Sequence, residues 1–357
     1  MAENQKEKYL EEIEDQIRTI GVLTSGGDAP GMNAAIRAVV RTALSRGLKV
    51  RGIRRGFHGL LKEEIIDLSA RDVSEKIQRG GTFLQTARCK SMRTEEGQQK
   101  AAAICKKYGI DGLVVIGGDG SFAGAQKLAN LGVNTIGIPG TIDNDMGYTD
   151  FTIGFDTAVN NVMNEIYKIR DTMRAHDRVG VIEVMGRRCG DIALWAGVAG
   201  AADIILVPER PLSWADAANR LAANKLRGQL TSIVMIAEGA GKAEDFCEYV
   251  RKYTDVEIKA TVLGYIQRGG NPSAFDRVLA AKMGQRAVEL LADEANMRGT
   301  DRAESRAAEN NDLRENFGYA VGIRENRIIS VPLAEAVSTR DCFDDKLYDL
   351  NSVMAKF

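Results

Sequence analysis

Short apolar runs alternate with helical patterns along most of the chain. Residues 19–24 form an apolar run of strand length, and residues 33–46 follow with Ala, Ile, Val and Leu at helical spacing. The same order of strand, glycine-rich loop and helix returns several times. Further strands are predicted at 113–116, 135–138, 179–184, 204–207, 233–237, 259–263 and 319–331, and further helices at 122–131, at 157–173 and in a short tail. Buried strands that alternate with helices predict mostly parallel sheets with helices on both faces.

The unusual loops of the sequence all follow predicted strands. In parallel sheets covered by helices, ligands bind at the carboxyl ends of the strands. We therefore expect these loops to converge on one crevice. The segment 293–315 differs, because it is rich in charged residues and almost without apolar ones, and it is predicted to be an exposed insertion.

Size and composition indicate a globular protein of two domains. The chain has 357 residues, of which 44% are hydrophobic and 27% are charged. The formal net charge is −1, so the sequence predicts neither a nucleic-acid nor a membrane partner, and a bound phosphate must meet a local basic cluster. The longest apolar stretch, 192–202, ends at Asp203 and is too short to span a bilayer.

The cysteines and histidines argue against several kinds of chemistry. The five cysteines are odd in number, lie far apart and form no CxxC pair, which argues against a disulfide framework or a zinc site. The two histidines, His58 and His176, leave little material for a Ser-His-Asp triad or a His-ligated metal. The acidic lead 1–17 has no apolar signal core, so a cytoplasmic location is predicted.

The loop Gly117-Gly118-Asp119-Gly120-Ser121 has the composition of a phosphate-binding turn. Glycines let backbone N–H groups approach a phosphate, and the helix that follows offers its N-terminus. A carboxylate in such a loop would repel a phosphate unless a cation lies between them, and Mg²⁺ suits that position. The alternative is a tight structural turn in which Asp119 caps the helix.

The loop Thr141-Ile142-Asp143-Asn144-Asp145 carries two carboxylates two positions apart. In an extended segment they project to opposite faces, so one could accept a hydroxyl proton while the other orients a basic group or a metal-bound water. An Asx-rich turn without catalytic function explains the same residues equally well.

The first glycine loop runs from Gly26 to Asn33 and lacks GxGxxG spacing. A dinucleotide-binding dehydrogenase is therefore disfavoured, and for this loop alone a structural turn is the better interpretation. Several arginines lie beside glycines at predicted strand ends, where their forked donors suit phosphoryl oxygens. They are Arg88, Arg178, Arg187, Arg188 and Arg268.

Six stretches together resemble the bacterial phosphofructokinase family, in the family's order. They are GVLTSGGDAPGMNAAIR, RGGTFLQTAR, VVIGGDGS, IPGTIDND, EVMGRRCGD and TVLGYIQRGGNPSAFDR. The resemblance covers nearly the whole chain from Arg18, apart from the charged insertion. It implies two doubly wound, three-layer α/β/α domains with mostly parallel sheets and the active site in the cleft between them.

The expected larger, ATP-binding domain comprises 18–154 and about 267–330, and the smaller, fructose 6-phosphate-binding domain comprises 155–266 and about 331–357. The resemblance implies ATP-dependent 6-phosphofructokinase activity in a homotetramer, with Arg178 supplied across a subunit interface and Mg²⁺ as cofactor. It implies catalytic roles for Asp143 as base, for Arg187 and for Thr141, and metal roles for Asp119 and Asp145. The implied ATP-binding positions are Gly27, Arg88, Cys89, Gly118, Asp119, Gly120 and Ser121. The implied substrate-binding positions are Thr141, Asp143, Asp145, Arg178, Met185, Gly186, Arg187, Glu238, Lys259, Tyr265 and Arg268.

Two glycine positions bear on the identity of the phosphoryl donor. Pyrophosphate-dependent relatives carry Asp and Lys where this chain has Gly120 and Gly140, so the resemblance favours ATP. A non-catalytic subunit of the same fold remains an alternative, although Asp119, Asp143 and Arg187 are all present.

This chain departs from the family pattern at two substrate positions and in a candidate effector site. The family's usual Arg and His are replaced by Lys259 and Tyr265. The candidate effector site retains Arg37, Arg41, Arg170 and Arg227, but it has Ala70 in place of an arginine and Gln229-Leu230-Thr231 in place of a basic stretch.

Overall fold

The computed structural model describes residues 18–300, 318–339 and 343–355, with the backbone alone described for 293–300. The predicted lead 1–17 lies outside these ranges, as does the part of the predicted insertion beyond residue 300. The described chain divides into two compact units. The first comprises residues 18–141, 148–153, 271–300 and 318–339, and the second comprises 142–147, 154–270 and 343–355.

The described residues form eleven strands. They are β1 (Thr19–Ser25), β2 (Lys49–Ile53), β3 (Ile65–Asp67), β4 (Gly112–Gly117), β5 (Asn134–Pro139), β6 (Val179–Val184), β7 (Ile204–Leu206), β8 (Ser232–Ala237), β9 (Ile258–Val262), β10 (Gly318–Arg324) and β11 (Arg327–Pro332). Every predicted strand from 19–24 to 259–263 overlaps one of them. The strands β2 and β3 were not predicted.

The helices alternate with these strands as the pattern predicts. They are α1 (Met32–Ser45), α2 (Gly56–Leu61), α3 (Glu95–Lys107), α4 (Asp119–Asn130), α5 (Phe155–Ala175), α6 (Asp191–Ala199), α7 (Trp214–Leu226), α8 (Ala243–Tyr253), α9 (Ala274–Thr300), α10 (Leu333–Ser338) and α11 (Asp345–Met354), with short 3₁₀ helices at Lys90–Arg93 and Gly264–Arg268. Local signals set some helix starts, because the side chains of Thr94 and Ser213 accept bonds from backbone N–H groups three residues on.

The first unit is built on a seven-stranded sheet in the order β11-β10-β5-β4-β1-β2-β3. Its five central strands are parallel, and the pairs β2–β3 and β10–β11 at its edges are antiparallel. Helix α9 packs closely on α1. Only glycine fits at position 284, because a Cβ there would lie 2.5 Å from the Cβ of Ala38. A separate group, α2, α3, α4 and α10, packs together and contacts the same sheet. The mixed sheet with its two helix groups agrees with the expected layered architecture.

The predicted strand 319–331 is two strands, so that prediction was wrong. Strands β10 and β11 form an antiparallel hairpin in which Arg324 pairs with Arg327. The turn residues Glu325 and Asn326 both have left-handed backbones, with φ of 49° and 62°. Two positive φ values in succession are typical of the tight turns that reverse a hairpin, so a short polar interruption divides the apolar run.

The second unit contains a four-stranded parallel sheet in the order β7-β8-β6-β9. Helices α7 and α8 pack together and share a buried core with these strands, including Val181, Leu221, Val234 and Phe246. Helix α6 packs on α5, α11 and β8. This unit therefore also buries its sheet under helices, as the near-continuous apolar strands predict.

The boundaries of the units differ from the expected domains at several places. Residues 331–339 belong to the first unit, because β11 completes the hairpin and α10 packs on β10. Residues 267–270 belong to the second unit, where Asn161 Nδ2 donates to the carbonyls of Ile266 and Gly269. Residues 142–147 also belong to the second unit. Among the described residues, no helix is long and apolar enough to cross a membrane.

Candidate active site

Three loops of the first unit meet because they leave three adjacent strands at the same end. In the sheet register Ser25 pairs with Gly117 and Gly117 pairs with Pro139, so β1, β4 and β5 end side by side. A Cβ added at Gly118 would lie 3.4 Å from Thr141 Cβ. The first glycine loop, the Asp119 loop and Thr141 therefore form one group, as expected from their positions after parallel strands.

The Asp119 loop presents backbone at the N-terminus of α4. The helix begins at Asp119, Ser121 is buried, and the N–H of Phe122 donates to the carbonyl of Gly118 over 3.1 Å. Gly120 is exposed, and a Cβ there would find no atom within 4 Å. Gly27 in the first loop is exposed as well. Exposed glycines beside a helix N-terminus are the geometry that binds phosphate groups.

Arg88 and Cys89 follow a loop that is bonded to the first glycine loop. Thr86 Oγ1 donates to the carbonyl of Gly26 over 2.8 Å. Arg88 is exposed and Cys89 is half-buried. The structure thus places these two predicted residues beside the first glycine loop within the same unit.

In the second unit, a buried carboxylate lies between two arginines. Asp143 is 2% exposed. Its Oδ2 lies 3.4 Å from Arg187 Nε, and its Oδ1 lies 3.9 Å from Arg268 Nη2. Arg187 follows β6 and Arg268 follows β9, and these two strands are paired. The predicted base and two predicted phosphate ligands are therefore brought together at the carboxyl ends of neighbouring strands.

The pKa of Asp143 is raised to about 6, chiefly by burial and further by the nearby charge of Asp145. The guanidinium groups of Arg268 and Arg187 act in the opposite direction and favour the carboxylate. A carboxylate with a pKa near 6 is still mostly ionised at neutral pH, yet it is more basic than an ordinary aspartate. Both properties suit a group that accepts a proton.

The backbone of the Arg187 loop is held by a glutamate. Gly186 and Arg187 have φ values of 136° and 55°, in the left-handed region that is costly for Arg187. Glu238 Oε1 accepts from the N–H of Gly186 over 3.2 Å and from the N–H of Arg187 over 2.8 Å. These bonds offset the cost and aim the exposed Arg187 side chain at Asp143.

Comparison with known proteins identifies the family. The family model described as phosphofructokinase matches residues 19–291. The chain belongs to the phosphofructokinase family. Two curated proteins named ATP-dependent 6-phosphofructokinase are close relatives: one from Clostridium botulinum is 51% identical over 340 residues, covering 95% of this chain and 100% of the relative. The other, from Clostridium tetani, is 53% identical over 339 residues with the same coverage.

A solved structure of phosphofructokinase from Saccharomyces cerevisiae matches with a TM-score of 0.82 and 33% identity. The match covers 94% of this chain and 50% of the yeast chain. The predicted family and α/β fold class are thereby confirmed.

Two of the substrate residues expected for a phosphofructokinase lie away from Asp143 within the second unit. Arg178 and Lys259 occupy the amino ends of β6 and β9, whereas Arg187 and Arg268 follow the carboxyl ends. Arg178 Nε forms an ion pair with Glu257 Oε2 at 2.7 Å. Tyr265, in the 3₁₀ helix after β9, is 84% exposed. The described chain by itself therefore does not gather all the predicted substrate residues into one cluster.

The candidate effector residues are distributed over both units. Arg37 and Arg41 lie on α1, and Arg41 Nη2 donates to the carbonyl of Ala70 over 3.4 Å. In the second unit, Arg170 Nη2 donates to the carbonyls of Gly200 and Ala201. Arg227 is exposed just after α7.

The uncharged stretch 229–231 is tied to an acidic residue. Gln229 Nε2 donates to Asp203 Oδ1 over 2.6 Å. The Asp203 carboxylate is therefore bonded to a neutral amide from a stretch that is basic in the family pattern.

Sequence reasoning missed two groups that support the phosphofructokinase site. Gln267, which is fully buried, accepts from the N–H of Met185 and donates to the carbonyl of Gly264. Asn144, with a φ of 53°, donates from Nδ2 to Asp191 Oδ2 over 2.8 Å. Gln267 adjoins Arg268 and Asp191 ends the MGRRCGD stretch, but nothing in their local pattern predicts these partners.

The Asp191 carboxyl is expected to make stability depend on pH. Burial, followed by the charge of Glu209, raises its pKa to about 7 from an ordinary value of 3.8. Between these values the folded state holds a proton that the unfolded state releases, so stability falls as pH rises toward 7. The amide oxygen of Asp191→Asn can still accept from Asn144. We expect the free energy of unfolding of this variant, relative to that of the unchanged chain, to be about 2 kcal/mol higher at pH 8.5 than at pH 5.5.

The measurement is urea unfolding of both proteins at the two pH values. Asp203→Asn makes the same substitution in the same unit, at a carboxylate that accepts from the N–H of Ile233, and controls for general effects. An equal difference in stability at both pH values for Asp191→Asn would contradict the prediction.

Proposed function

We propose that this phosphofructokinase is an ATP-dependent 6-phosphofructokinase. It transfers the γ-phosphate of ATP to the 1-hydroxyl of fructose 6-phosphate, giving fructose 1,6-bisphosphate and ADP, which is the committed step of glycolysis. The observation that carries the proposal is the buried Asp143 carboxylate held between Arg187 and Arg268. The names of the curated relatives agree with it.

Asp143 is the general base in this proposal. It takes the proton of the 1-hydroxyl as the oxygen attacks the γ-phosphorus and the bond to the β-phosphate oxygen breaks. Arg187 stabilises the charge on the transferring phosphoryl group, and Arg268 binds the 6-phosphate. Phosphoryl transfer depends mainly on such positioning and charge stabilisation, and these residues supply both.

In this proposal, the loops of the first unit bind ATP. The exposed backbone at Gly27, Gly118 and Gly120 and the N-terminus of α4, with Ser121, would receive the phosphates. Arg88 and Cys89 complete the set.

Asp119 and Asp145 are each half-buried, and the family pattern assigns the carboxylate oxygens of both to Mg²⁺. This ion is usually held by one or two carboxylates together with substrate phosphates and water. When bound, it would neutralise phosphate charge during transfer.

The remaining sugar contacts are proposed from their positions in the family pattern. Fructose 6-phosphate is expected to contact Met185, Gly186, Glu238, Thr141, Lys259 and Tyr265. Lys259 presents a point charge where the family has an arginine fork, so a weaker grip on phosphate is expected there.

We propose a homotetramer because the family pattern implies one, with Arg178 serving the site of a neighbouring subunit. Arg178 lies at the opposite end of its strand from the Asp143 cluster, which is consistent with that role. We further propose a cytoplasmic location, in keeping with a glycolytic role.

A donor comparison tests the proposed function. Purified protein with fructose 6-phosphate and Mg²⁺ is given either ATP or pyrophosphate, and fructose 1,6-bisphosphate is measured. Turnover with ATP alone supports the proposal. Turnover with pyrophosphate alone would establish the alternative donor, and no turnover with either would favour a non-catalytic subunit.

Gly120→Asp is expected to raise the KM for ATP at least about tenfold by placing a carboxylate beside the phosphates. The substitution should not disturb folding, because a Cβ at this position meets no atom within 4 Å. Gly120→Asn has nearly the same shape without the charge and is the matched control. An equal KM for ATP in the two variants would show that charge at this position does not select the donor.

A further inference from the structure

Asn33 is a buried amide that bonds to three backbone groups of another loop. It lies at the start of α1 and is 3% exposed. Its Nδ2 donates to the carbonyl of Arg79 over 3.2 Å and to that of Gly80 over 3.0 Å. Its Oδ1 accepts from the N–H of Phe83 over 2.8 Å. An amide is the side chain that supplies two donors and an acceptor at one point.

Two threonines add bonds between this loop and the end of β1 or the first glycine loop. We call residues 79–88 the arginine loop, because it ends at Arg88. Thr24 Oγ1 donates to the carbonyl of Gln85 over 2.9 Å, and Thr86 Oγ1 donates to the carbonyl of Gly26 over 2.8 Å. The arginine loop is therefore bonded to the first glycine loop from its beginning to within two residues of Arg88.

The arginine loop contains no strand or helix that would hold it by a backbone ladder. Gln85 has a left-handed backbone with a φ of 62°, and the buried side chain of Leu84 is the main apolar anchor. The side-chain bonds from Asn33, Thr24 and Thr86 thus supply much of its order. Without them, ATP binding would have to order the loop, and that cost would appear as weaker binding.

We propose that Asn33 is a positioning residue for ATP, which holds the arginine loop against the first glycine loop so that Arg88 and Gly27 are presented together. The inference rests on the proposed function, since Arg88 and Gly27 contact ATP only in that assignment. Asn33 itself need not touch the nucleotide. Its effect should fall on the ATP side of the reaction and spare fructose 6-phosphate.

The test is steady-state kinetics of Asn33→Ala with each substrate varied in turn. We expect the KM for ATP to rise about tenfold, because three backbone groups of the arginine loop lose their side-chain partner, and to change far more than the KM for fructose 6-phosphate. Thr135→Val is the matched control. Thr135 is fully buried in the same unit, and its Oγ1 donates to the carbonyl of Val133 at the other end of β5. It should lower the melting temperature without shifting the KM for ATP.

A milder variant covers the case in which Asn33→Ala does not fold. Thr86→Val preserves shape at a half-buried site and removes the bond to Gly26. We expect it to raise the KM for ATP about threefold, less than Asn33→Ala, because it removes one bond.

Two results would overturn the inference while leaving the proposed function intact, provided that the unchanged chain turns over ATP. One is an unshifted KM for ATP in both variants. The other is an equal rise in both KM values that tracks the loss of melting temperature. Absence of ATP turnover in the unchanged chain would overturn the proposed function and this inference together.

Discussion

Replacing Asp143 with asparagine is expected to lower kcat for phosphoryl transfer from ATP by about 10²–10⁴-fold. The substitution keeps the shape of the side chain but removes the carboxylate that would accept the hydroxyl proton. Because an amide can still hydrogen-bond a hydroxyl, the KM for fructose 6-phosphate should change little. The measurement is fructose 1,6-bisphosphate formation at saturating ATP and Mg²⁺.

The control for this variant is Asp203→Asn, which removes one carboxylate elsewhere in the same unit. Its kcat should stay within about twofold of the unchanged chain, because Asp203 directly precedes β7 and so lies at the opposite end of the sheet from the Asp143 cluster. If Asp143→Asn retained a similar kcat, Asp143 would not be the base, and its burial between two arginines would be structural.

Replacing Arg187 with methionine is expected to lower kcat by about 10²–10³-fold. Arg187 Nε lies 3.4 Å from Asp143 Oδ2, and its guanidinium would stabilise the phosphoryl group during transfer. Its charge also holds the pKa of Asp143 below the value that burial alone would produce. Both losses act in the same direction, and kcat should fall more than the KM for either substrate rises.

The neighbouring Arg188 provides a matched control. It is also exposed, and Arg188→Met changes the net charge by the same amount one residue away. It should leave kcat nearly unchanged. Equal losses in the two variants would indicate that the overall positive charge of the loop matters and that the geometry of Arg187 does not.

Several features of the fold were predictable because they depend on short sequence patterns. The apolar runs at β1, β4 and β6 are long, nearly all buried, and each followed by a glycine-rich loop. Such runs are typical of central strands in parallel sheets, so their type and their shared functional end followed from the sequence. The hairpin of β10 and β11 was missed although four polar residues, 324–327, separate its two apolar runs, because neither Gly nor Pro marks the turn.

The candidate site was predictable as a set of residues and less so as an arrangement. The catalytic roles expected of Asp143 and Arg187 came from the resemblance to the family, because the local pattern around Asp143 is explained equally well by an Asx-rich turn. Their separation of 3.4 Å between Oδ2 and Nε could not be inferred, because 44 positions of chain separate them in the sequence. The placement of Arg178 at the opposite end of β6 became visible only with the strand register.

The sequence by itself determined the family, the alternation of strands and helices and the chemical types available to the site. The tertiary structure alone decided which groups became buried and what they bond to. Asn33 reaches residues 46 to 50 positions away, and Asn144 reaches Asp191 47 positions away. The raised pKa of Asp143 likewise arises mainly from burial. Burial and long-range hydrogen bonds depend on segments that are distant along the chain, so no local pattern of residues encodes them.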